Sequence, residues 1–123
     1  MKQVIKYDLE GRTAKFGEAV IIFCKSLKLD VVSKPIISQI IRSATSIGAN
    51  YMEANGASSK KDFANKIFIC KKESQETKYW LEILASQIEP QKHLTRLRKE
   101  SQELVLIFQK ITNSLDKNSV VTS

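Results

Sequence analysis

The chain has 123 residues, 42% of them hydrophobic, and it carries 20 Lys and Arg against 13 Asp and Glu, a formal net charge of +7. This length predicts one domain with a real core. No apolar segment approaches the roughly 18 residues that a membrane span needs, and the first residues lack the apolar region of a secretory signal. A soluble, cytoplasmic protein is therefore expected, and its basic balance favours polyanionic partners.

The two cysteines, Cys24 and Cys70, both fall at apolar positions of predicted helices. A small free thiol packs as a hydrophobe, so we expect two buried free thiols in a reducing compartment. A disulfide is the alternative.

Residues 1–12 show no clean period and contain Gly11, which predicts an N-terminal arm. Thr13 is a suitable N-cap, and helix one is predicted over residues 14–29. Its inward positions are Phe16, Val20, Phe23 and Leu27, with Ala19 and Ile22 widening the stripe.

Helix two is predicted over residues 34–53, with Ser33 as its cap and Pro35 in its first turn. One apolar stripe contains Ile36, Ile40, Ala44, Ile47 and Tyr51, and a second stripe, roughly opposite, contains Arg42, Ser46, Asn50 and Glu53. The second stripe is short and hydrogen-bonding, which predicts that this face meets specific partners.

Helix three is predicted over residues 60–88, between a capping pair, Ser59 and Asp62, and Pro90, which disfavours helix at the residue before it. Its inward positions are Phe63, Ile67, Cys70, Ser74, Thr77, Leu81, Leu84 and Ile88. A second stripe contains Ile69, Glu73, Glu76 and Trp80.

Helix four is predicted over residues 92–115, with a frayed tail at 116–123. Its inward positions are Leu94, Leu97, Leu104, Ile107, Phe108, Ile111 and Leu115. Four amphipathic helices with short loops predict an all-α, antiparallel, up-down-up-down four-helix bundle that forms a single domain over residues 1–123. The extra stripes on helices two and three predict self-association.

The polar stripes of helices two and three match each other in chemistry. We predict a structural polar network of Arg42, Ser46, Asn50, Glu53, Glu73 and Glu76. Arg42 would pair with Glu73 or Glu76, because a buried charge is costly unless it is paired.

Catalytic chemistry finds little support in the sequence. A carboxylate-bridged metal pair needs Glu-x-x-His on two helices, and the chain has one histidine, His93. The cysteines lack zinc-ligand spacing, and no Gly-rich phosphate loop is present. We predict no catalytic residue, no metal, no cofactor and no enzymatic activity.

The basic residues form two groups. One spreads over helix three and includes Lys60, Lys61 and Lys66; the other crowds the start of helix four and contains Lys92, His93, Arg96, Arg98 and Lys99. Cations at a helix N-terminus oppose the macrodipole, which favours a functional reason such as phosphate binding. A solvated charged face is the alternative. No aromatic residue interleaves these charges, so base stacking is not expected.

Three phrases of the chain together carry a family resemblance. They are RSATSIGAN-x-x-EA at 42–54, S-x-KDF at 59–63 and KE-x-x-ET-x-YWL at 72–81. Over about residues 12–88 the chain resembles the four-helix-bundle proteins encoded in intervening sequences of bacterial 23S ribosomal RNA. It is also similar to the accessory variability protein of diversity-generating retroelements.

The resemblance implies a homopentameric barrel with a central channel and no known enzymatic activity. For the retroelement branch it also implies binding of a reverse transcriptase and of nucleic acid; the other branch is suspected of RNA binding. We therefore expect a non-enzymatic, oligomeric protein that binds RNA or DNA phosphates. The alternative is a protein-interaction module, such as a reverse-transcriptase accessory subunit.

Overall fold

The computed structural model describes the backbone of residues 8–122 and the side chains of residues 8–115. Its four helices are α1 (Leu9–Lys25), α2 (Ser33–Asn55), α3 (Lys60–Ala85) and α4 (Lys92–Thr122). Residues 8–122 contain no β-strand, so the predicted all-α class is confirmed. Residues 1–7 of the predicted N-terminal arm lie outside the described residues.

The helices pack as a closed ring. α2 lies between α1 and α3, and α4 contacts both α3 and α1, while the two diagonal pairs make no close backbone approach over residues 8–122. The core is fully shielded where all four helices converge, and its largest members include Val20, Ile40, Ile47, Ile67, Leu81, Leu104 and Phe108. A packed four-helix bundle follows from this arrangement.

α1 begins five residues earlier than predicted. Asp8, not Thr13, is the N-cap, since its Oδ1 accepts a hydrogen bond from the amide of Gly11 at 3.1 Å. A Cβ at position 11 would lie 2.6 Å from Asp8 Oδ2, so Gly11 leaves room for the cap rather than breaking the helix. Thr13 lies inside α1, where its hydroxyl donates to the Leu9 carbonyl at 2.7 Å.

The ends of α1 and α3 also come earlier than predicted. Ser26 ends α1, because its amide and its hydroxyl both donate to the Phe23 carbonyl. α3 ends three residues before the predicted position, and the amide of Ser86, the residue that follows, is bonded to the carbonyls of Glu82 and Ile83. In both cases a serine hydroxyl competes for the last carbonyls before any proline is reached.

The N-terminus of α2 is capped by a different residue from the one predicted, and its C-terminus lies further along the chain. Asp30, not Ser33, supplies the N-terminal acceptor: its Oδ1 accepts from the amides of Val32 and Ser33 at 3.0 and 2.8 Å. These bonds hold the pKa of Asp30 below its ordinary value. α2 then runs two residues beyond the predicted 53, to Asn55, where Gly56 follows as the C-cap.

The predicted cap of α3 is present, with Ser59 Oγ accepting from the Asp62 amide at 3.0 Å. α4 continues to Thr122, seven residues past the predicted end at 115. The predicted tail at 116–122 therefore has a helical backbone.

Two predictions about buried side chains have different outcomes. Cys24 and Cys70 are free and buried, as predicted, and burial raises their thiol pKa values to about 11 and about 12. Ala19 and Ile22, predicted to widen the core stripe of α1, are instead exposed, Ile22 by 69%. Over residues 8–122, no helix is both long and apolar enough to cross a membrane.

Candidate functional site

Arg42 connects α2 to α3 through two carboxylates. Its Nη1 lies 3.2 Å from Glu73 Oε1 and its Nη2 donates to Glu76 Oε2. Trp80 Nε1 donates to the same Glu76 oxygen at 3.1 Å, and Arg42 Nε donates to Gln39 at 3.0 Å. The Glu73 side chain is only 11% exposed, whereas that of Arg42 is 46% exposed. The guanidinium therefore closes over a nearly buried carboxylate from the solvent side.

The electrostatics follow from these contacts. Burial alone would raise the pKa of Glu76, but hydrogen bonds from Arg42 and Trp80 outweigh burial and hold that pKa below its ordinary value. The hydrogen bond to Glu76 also raises the pKa of Arg42. Both groups are thus held in their charged forms.

The other members of the predicted network lie apart from this cluster. Asn50 donates to the backbone carbonyl and the hydroxyl of Ser46, both at 2.9 Å, within α2. Glu53 pairs with Lys66 Nζ at 2.7 Å. The six residues therefore form three separate groups along the α2–α3 boundary and not one buried network.

Lys66 was predicted to bind nucleic acid. Its hydrogen bond with Glu53 raises the pKa of Lys66 and directs its charge towards α2. Because a carboxylate already neutralises it, Lys66 contributes less free positive charge than Lys60 or Lys61, for which the described residues provide no ion pair.

The basic group of α4 does not share one face. All five side chains, Lys92, His93, Arg96, Arg98 and Lys99, are exposed. At about 100° per residue, Lys92, Arg96 and Lys99 lie within roughly 60° of one another, whereas Arg98 lies roughly 160° from Arg96. Arg98 is therefore on a different side of α4 from the other cations.

A cleft of about 470 Å³ lies between α1 and α4 at one part of their contact, and Arg96 lines it. We call this the α1–α4 cleft; it is lined by Asp8, Gly11, Arg12, Lys15, Phe16, Ala19, Arg96, Leu97 and Glu100. Arg12 is held by Glu100 (Nε to Oε2, 2.7 Å) and Glu103 (Nη2 to Oε1, 2.7 Å). Within residues 8–115, neither Lys15 nor Arg96 has a carboxylate within ion-pair distance.

Lys15 is a candidate residue that the sequence reasoning missed. It lies outside both basic groups, 81 positions before Arg96, and only the packing of α1 on α4 brings the two together. The available signal was local: Lys15 lies about 100° around α1 from Phe16, a core position, so its side chain leaves the helix beside the buried face.

The predicted basic residues of α3 lie at the other end of the bundle. Lys60 and Lys61 line a second cleft, of about 960 Å³, together with Phe63, Phe68 and Leu115. Leu115 is 23 positions after Lys92 on α4, a helical distance of about 35 Å. The predicted nucleic-acid-binding residues therefore form two basic regions and not one patch.

Comparisons with known proteins agree with the fold. The family model for the 23S rRNA-intervening sequence protein matches residues 8–110. The chain is also similar to a solved structure, a protein of unknown function from the S23 ribosomal protein family of Bacteroides thetaiotaomicron. The two share 32% identity over 84% of this chain and 96% of that chain, with a TM-score of 0.74. Among curated proteins, none matches the chain significantly.

The family match covers α1, α2, α3 and most of α4, including Lys15, Arg42 and Arg96. It therefore spans both the α2–α3 ion pairs and the α1–α4 cleft. The chain belongs to the family of 23S rRNA-intervening sequence proteins.

Proposed function

We propose that this protein is a non-enzymatic, oligomeric nucleic-acid-binding protein that contacts phosphates without reading sequence. The observation that carries the proposal is the pair of cations in the α1–α4 cleft. Lys15 and Arg96 line one cleft, and neither is neutralised by a carboxylate within residues 8–115. Lys92 and Lys99 extend the same side of α4.

The pairing of the neighbouring carboxylates also favours phosphate binding in the cleft. Glu100 and Glu103 are engaged by Arg12, so they repel an approaching phosphate less than free carboxylates would. An oligomer would repeat the cleft, and each phosphate neutralised by Lys or Arg adds to affinity through counterion release. The net charge of +7 provides long-range attraction.

Filter binding to a structured RNA and to duplex DNA, each at low and at moderate salt, tests the proposal. We expect binding that weakens steeply with salt. Lys15→Gln and Arg96→Gln together should lower the affinity for both nucleic acids and reduce the salt slope by about two. If the protein binds neither the RNA nor the DNA at low salt, the proposed function is refuted.

Arg98→Gln is the matched control, because it removes the same charge two positions from Arg96 on another side of α4. It should change affinity by less than about twofold. Equal losses for Arg98→Gln and Arg96→Gln would mean that only net charge matters, and the α1–α4 cleft would lose its role.

Self-association is the second part of the proposal. A groove of about 360 Å³ between α1 and α2 is lined by small residues, among them Ala14, Gly17 and Ala49, with Ile21 and Met52 beside them. The exposed fractions of Ile21 and Met52 are 37% and 59%. Exposed apolar surface around a groove of small residues suits close packing by a helix of another copy, and five copies is the number implied by family resemblance.

Cross-helix pairs support the antiparallel arrangement expected for such a unit. Along α2 and α3, Arg42 pairs with Glu73 and Glu76, whereas Glu53, further along α2, pairs with Lys66, earlier on α3. Light scattering tests the assembly: Met52→Glu should reduce the mass, and Leu106→Glu, on exposed α4 surface, should not. A wild-type monomer at micromolar concentration would remove the oligomer.

A protein-interaction module is the second candidate function. The connection between α1 and α2 exposes Leu29, Val31 and Val32, with exposed fractions of 39%, 85% and 61%. Apolar side chains grouped in a loop favour a protein partner, such as a reverse transcriptase, over phosphates. Val31→Asp should then abolish binding to a purified reverse transcriptase and leave the nucleic-acid affinity unchanged.

A further inference from the structure

The outer face of α3 presents alternating lysine and aromatic side chains. Lys61, Phe68, Lys72 and Tyr79, which we call the α3 outer stripe, are spaced seven, four and seven positions apart. At about 100° per residue they fall within roughly 40° of one another, on the side of α3 opposite its core positions. All four are exposed, Phe68 by 38% and Tyr79 by 55%.

None of these side chains belongs to the core of the bundle. Phe68 and Tyr79 are absent from the core cluster, and within residues 8–115 neither Lys61 nor Lys72 forms an ion pair. The absence of aromatic residues among the basic positions, expected from the sequence, is therefore wrong for α3. The heptad pattern of this helix defines only its inward positions, and the alternation of lysine and aromatic residues lies on the opposite side.

The alternating cations and aromatic rings of the α3 outer stripe fit unpaired nucleotides better than an apolar protein surface. Covering Phe68 and Tyr79 with an apolar protein surface would also desolvate Lys61 and Lys72, which is costly without counter-charges. Unpaired nucleotides supply both partners, since a base stacks on an aromatic face and its phosphate accepts from the ammonium groups. Paired bases in a duplex cannot offer their faces in this way.

The dimensions are compatible with a short strand. Phe68 and Tyr79 lie eleven positions apart on one helix, a distance of about 16 Å, which about five nucleotides cover at a stacked rise of about 3.4 Å. Beside Phe68, the cleft of about 960 Å³ contains Lys60, Lys61 and Phe63. The stripe thus opens at one end into a basic, aromatic cleft large enough for an extruded base.

We infer that the α3 outer stripe is a stacking platform for single-stranded nucleic acid, with Phe68 and Tyr79 contacting bases and Lys61 and Lys72 contacting phosphates. This inference rests on the proposed function and adds to it the substrate class, which is unpaired strands or loops. Ribose and deoxyribose strands share the recognised chemistry, so the experiment includes both.

Trp80 provides the readout. It is the only tryptophan, and its ring lies at 73° to that of Tyr79 with centroids 5.1 Å apart, so a base stacked on Tyr79 should change its fluorescence. We would titrate oligonucleotides of about ten nucleotides, about twice the stacked length above, as single-stranded RNA, single-stranded DNA and the corresponding duplex. We expect single strands to bind more tightly than the duplex and to alter Trp80 emission.

Phe68→Ala and Tyr79→Ala, followed by anisotropy of labelled oligonucleotides, should each lower single-strand affinity about tenfold and leave duplex affinity unchanged. Leu106→Ala removes a similarly exposed apolar side chain, 57% exposed on α4, and should change neither. Circular dichroism would check that each variant keeps its helices.

The outcomes separate this inference from the proposed function. Equal affinity for single strands and duplex, with both aromatic variants behaving as wild type, overturns the stacking platform and leaves phosphate binding standing. Binding to none of the nucleic acids removes both. A lower assembly mass for Phe68→Ala or Tyr79→Ala, with unchanged nucleic-acid affinity, identifies the stripe as an interface between copies and also overturns the inference.

Discussion

At the scale of single residues, Arg42 matters because it shields a carboxylate that has little other access to solvent. Arg42→Ala leaves Glu73, 11% exposed at its side chain, without its cation, and the cost of such an unpaired group is about 1–3 kcal/mol. Chemical denaturation should show a loss in that range. Arg98→Ala, an exposed arginine with no ion pair in the described chain, serves as the control, and an unchanged midpoint for Arg42→Ala would contradict the role.

The same cluster predicts an acid-dependent stability. The pKa of Glu76 is held below its ordinary value of 4.5 in the folded chain, so its contribution is fully present above that pH and is lost as the pH falls through the lower folded value. Thermal unfolding from pH 6 to about pH 3 should show a shallower acid decline for Glu76→Gln than for wild type. Parallel curves would assign the decline to other carboxylates.

The pairing of Arg42 with α3 carboxylates could be predicted from the sequence, because two complementary stripes face each other on adjacent helices. The pairing of Lys66 with Glu53 could not. Several lysines lie on α3, and the one that reaches α2 is decided by the rotation of α3 about its axis. The proximity of Lys15 and Arg96 could not be predicted either, because it depends on how α4 packs against α1.

At the scale of elements, most inward positions of the four helices followed from their periodicity, with the exposed Ile22 as an exception, but the helix ends did not. Asp8 and Asp30 compete with Thr13 and Ser33 as caps, and both aspartates prevail because their carboxylates reach amides two or three positions ahead. A cap depends on the side-chain conformation at one position, whereas a hydrophobic face is averaged over many.

Gly17 and Gly48 offer a test of helix packing between α1 and α2. A Cβ at Gly17 would meet Thr45 at 3.7 Å, an ordinary contact, whereas at Gly48 it would meet Thr13 Oγ1 at 3.3 Å. Gly17→Ala should therefore realise most of the helix gain of about 1 kcal/mol. Gly48→Ala should gain less or lose stability, because Thr13 donates to Leu9 and has little freedom to move.

Urea unfolding of the two variants provides the measurement. It should be run at a protein concentration where the assembly state is known, because the groove beside Gly17 is part of the proposed contact between copies. Equal stabilisation by both substitutions would show that α1 and α2 separate easily and would contradict the tight approach at Gly48.

At the scale of the whole molecule, closure of the helix ring depends on the contact between the first and last helices. The contact between α1 and α4 contains a cleft and is smaller than the other helix contacts. Ion pairs therefore contribute a larger share of its stability. Arg12 forms these ion pairs with Glu100 and Glu103, whose hydrogen bonds raise the pKa of Arg12 despite the opposing effect of burial. The same contacts neutralise carboxylates beside the cations proposed to bind phosphate.

Arg12→Ala should accordingly have two effects. It should destabilise the bundle by about 1–2 kcal/mol, since two charge-assisted hydrogen-bonded partners lose their donor. It should also weaken nucleic-acid binding by more than Lys15→Ala does, because it leaves Glu100, which lines the α1–α4 cleft, and Glu103 without their cation. Arg12→Lys should restore only part of either property, since an ammonium cannot reproduce the forked contact.

Hydrogen exchange and filter binding on the same variants test both effects. Amides of α1 should exchange faster in Arg12→Ala than in wild type, while those at the α2–α3 boundary, held by Arg42, should change less. Lys15→Ala should leave exchange in α1 unaltered, because Lys15 makes no ion pair within residues 8–115. If the amides of α1 exchange no faster in Arg12→Ala, apolar packing alone holds α1 against α4. The positions of Lys15 and Arg96 in the cleft would then not depend on Arg12.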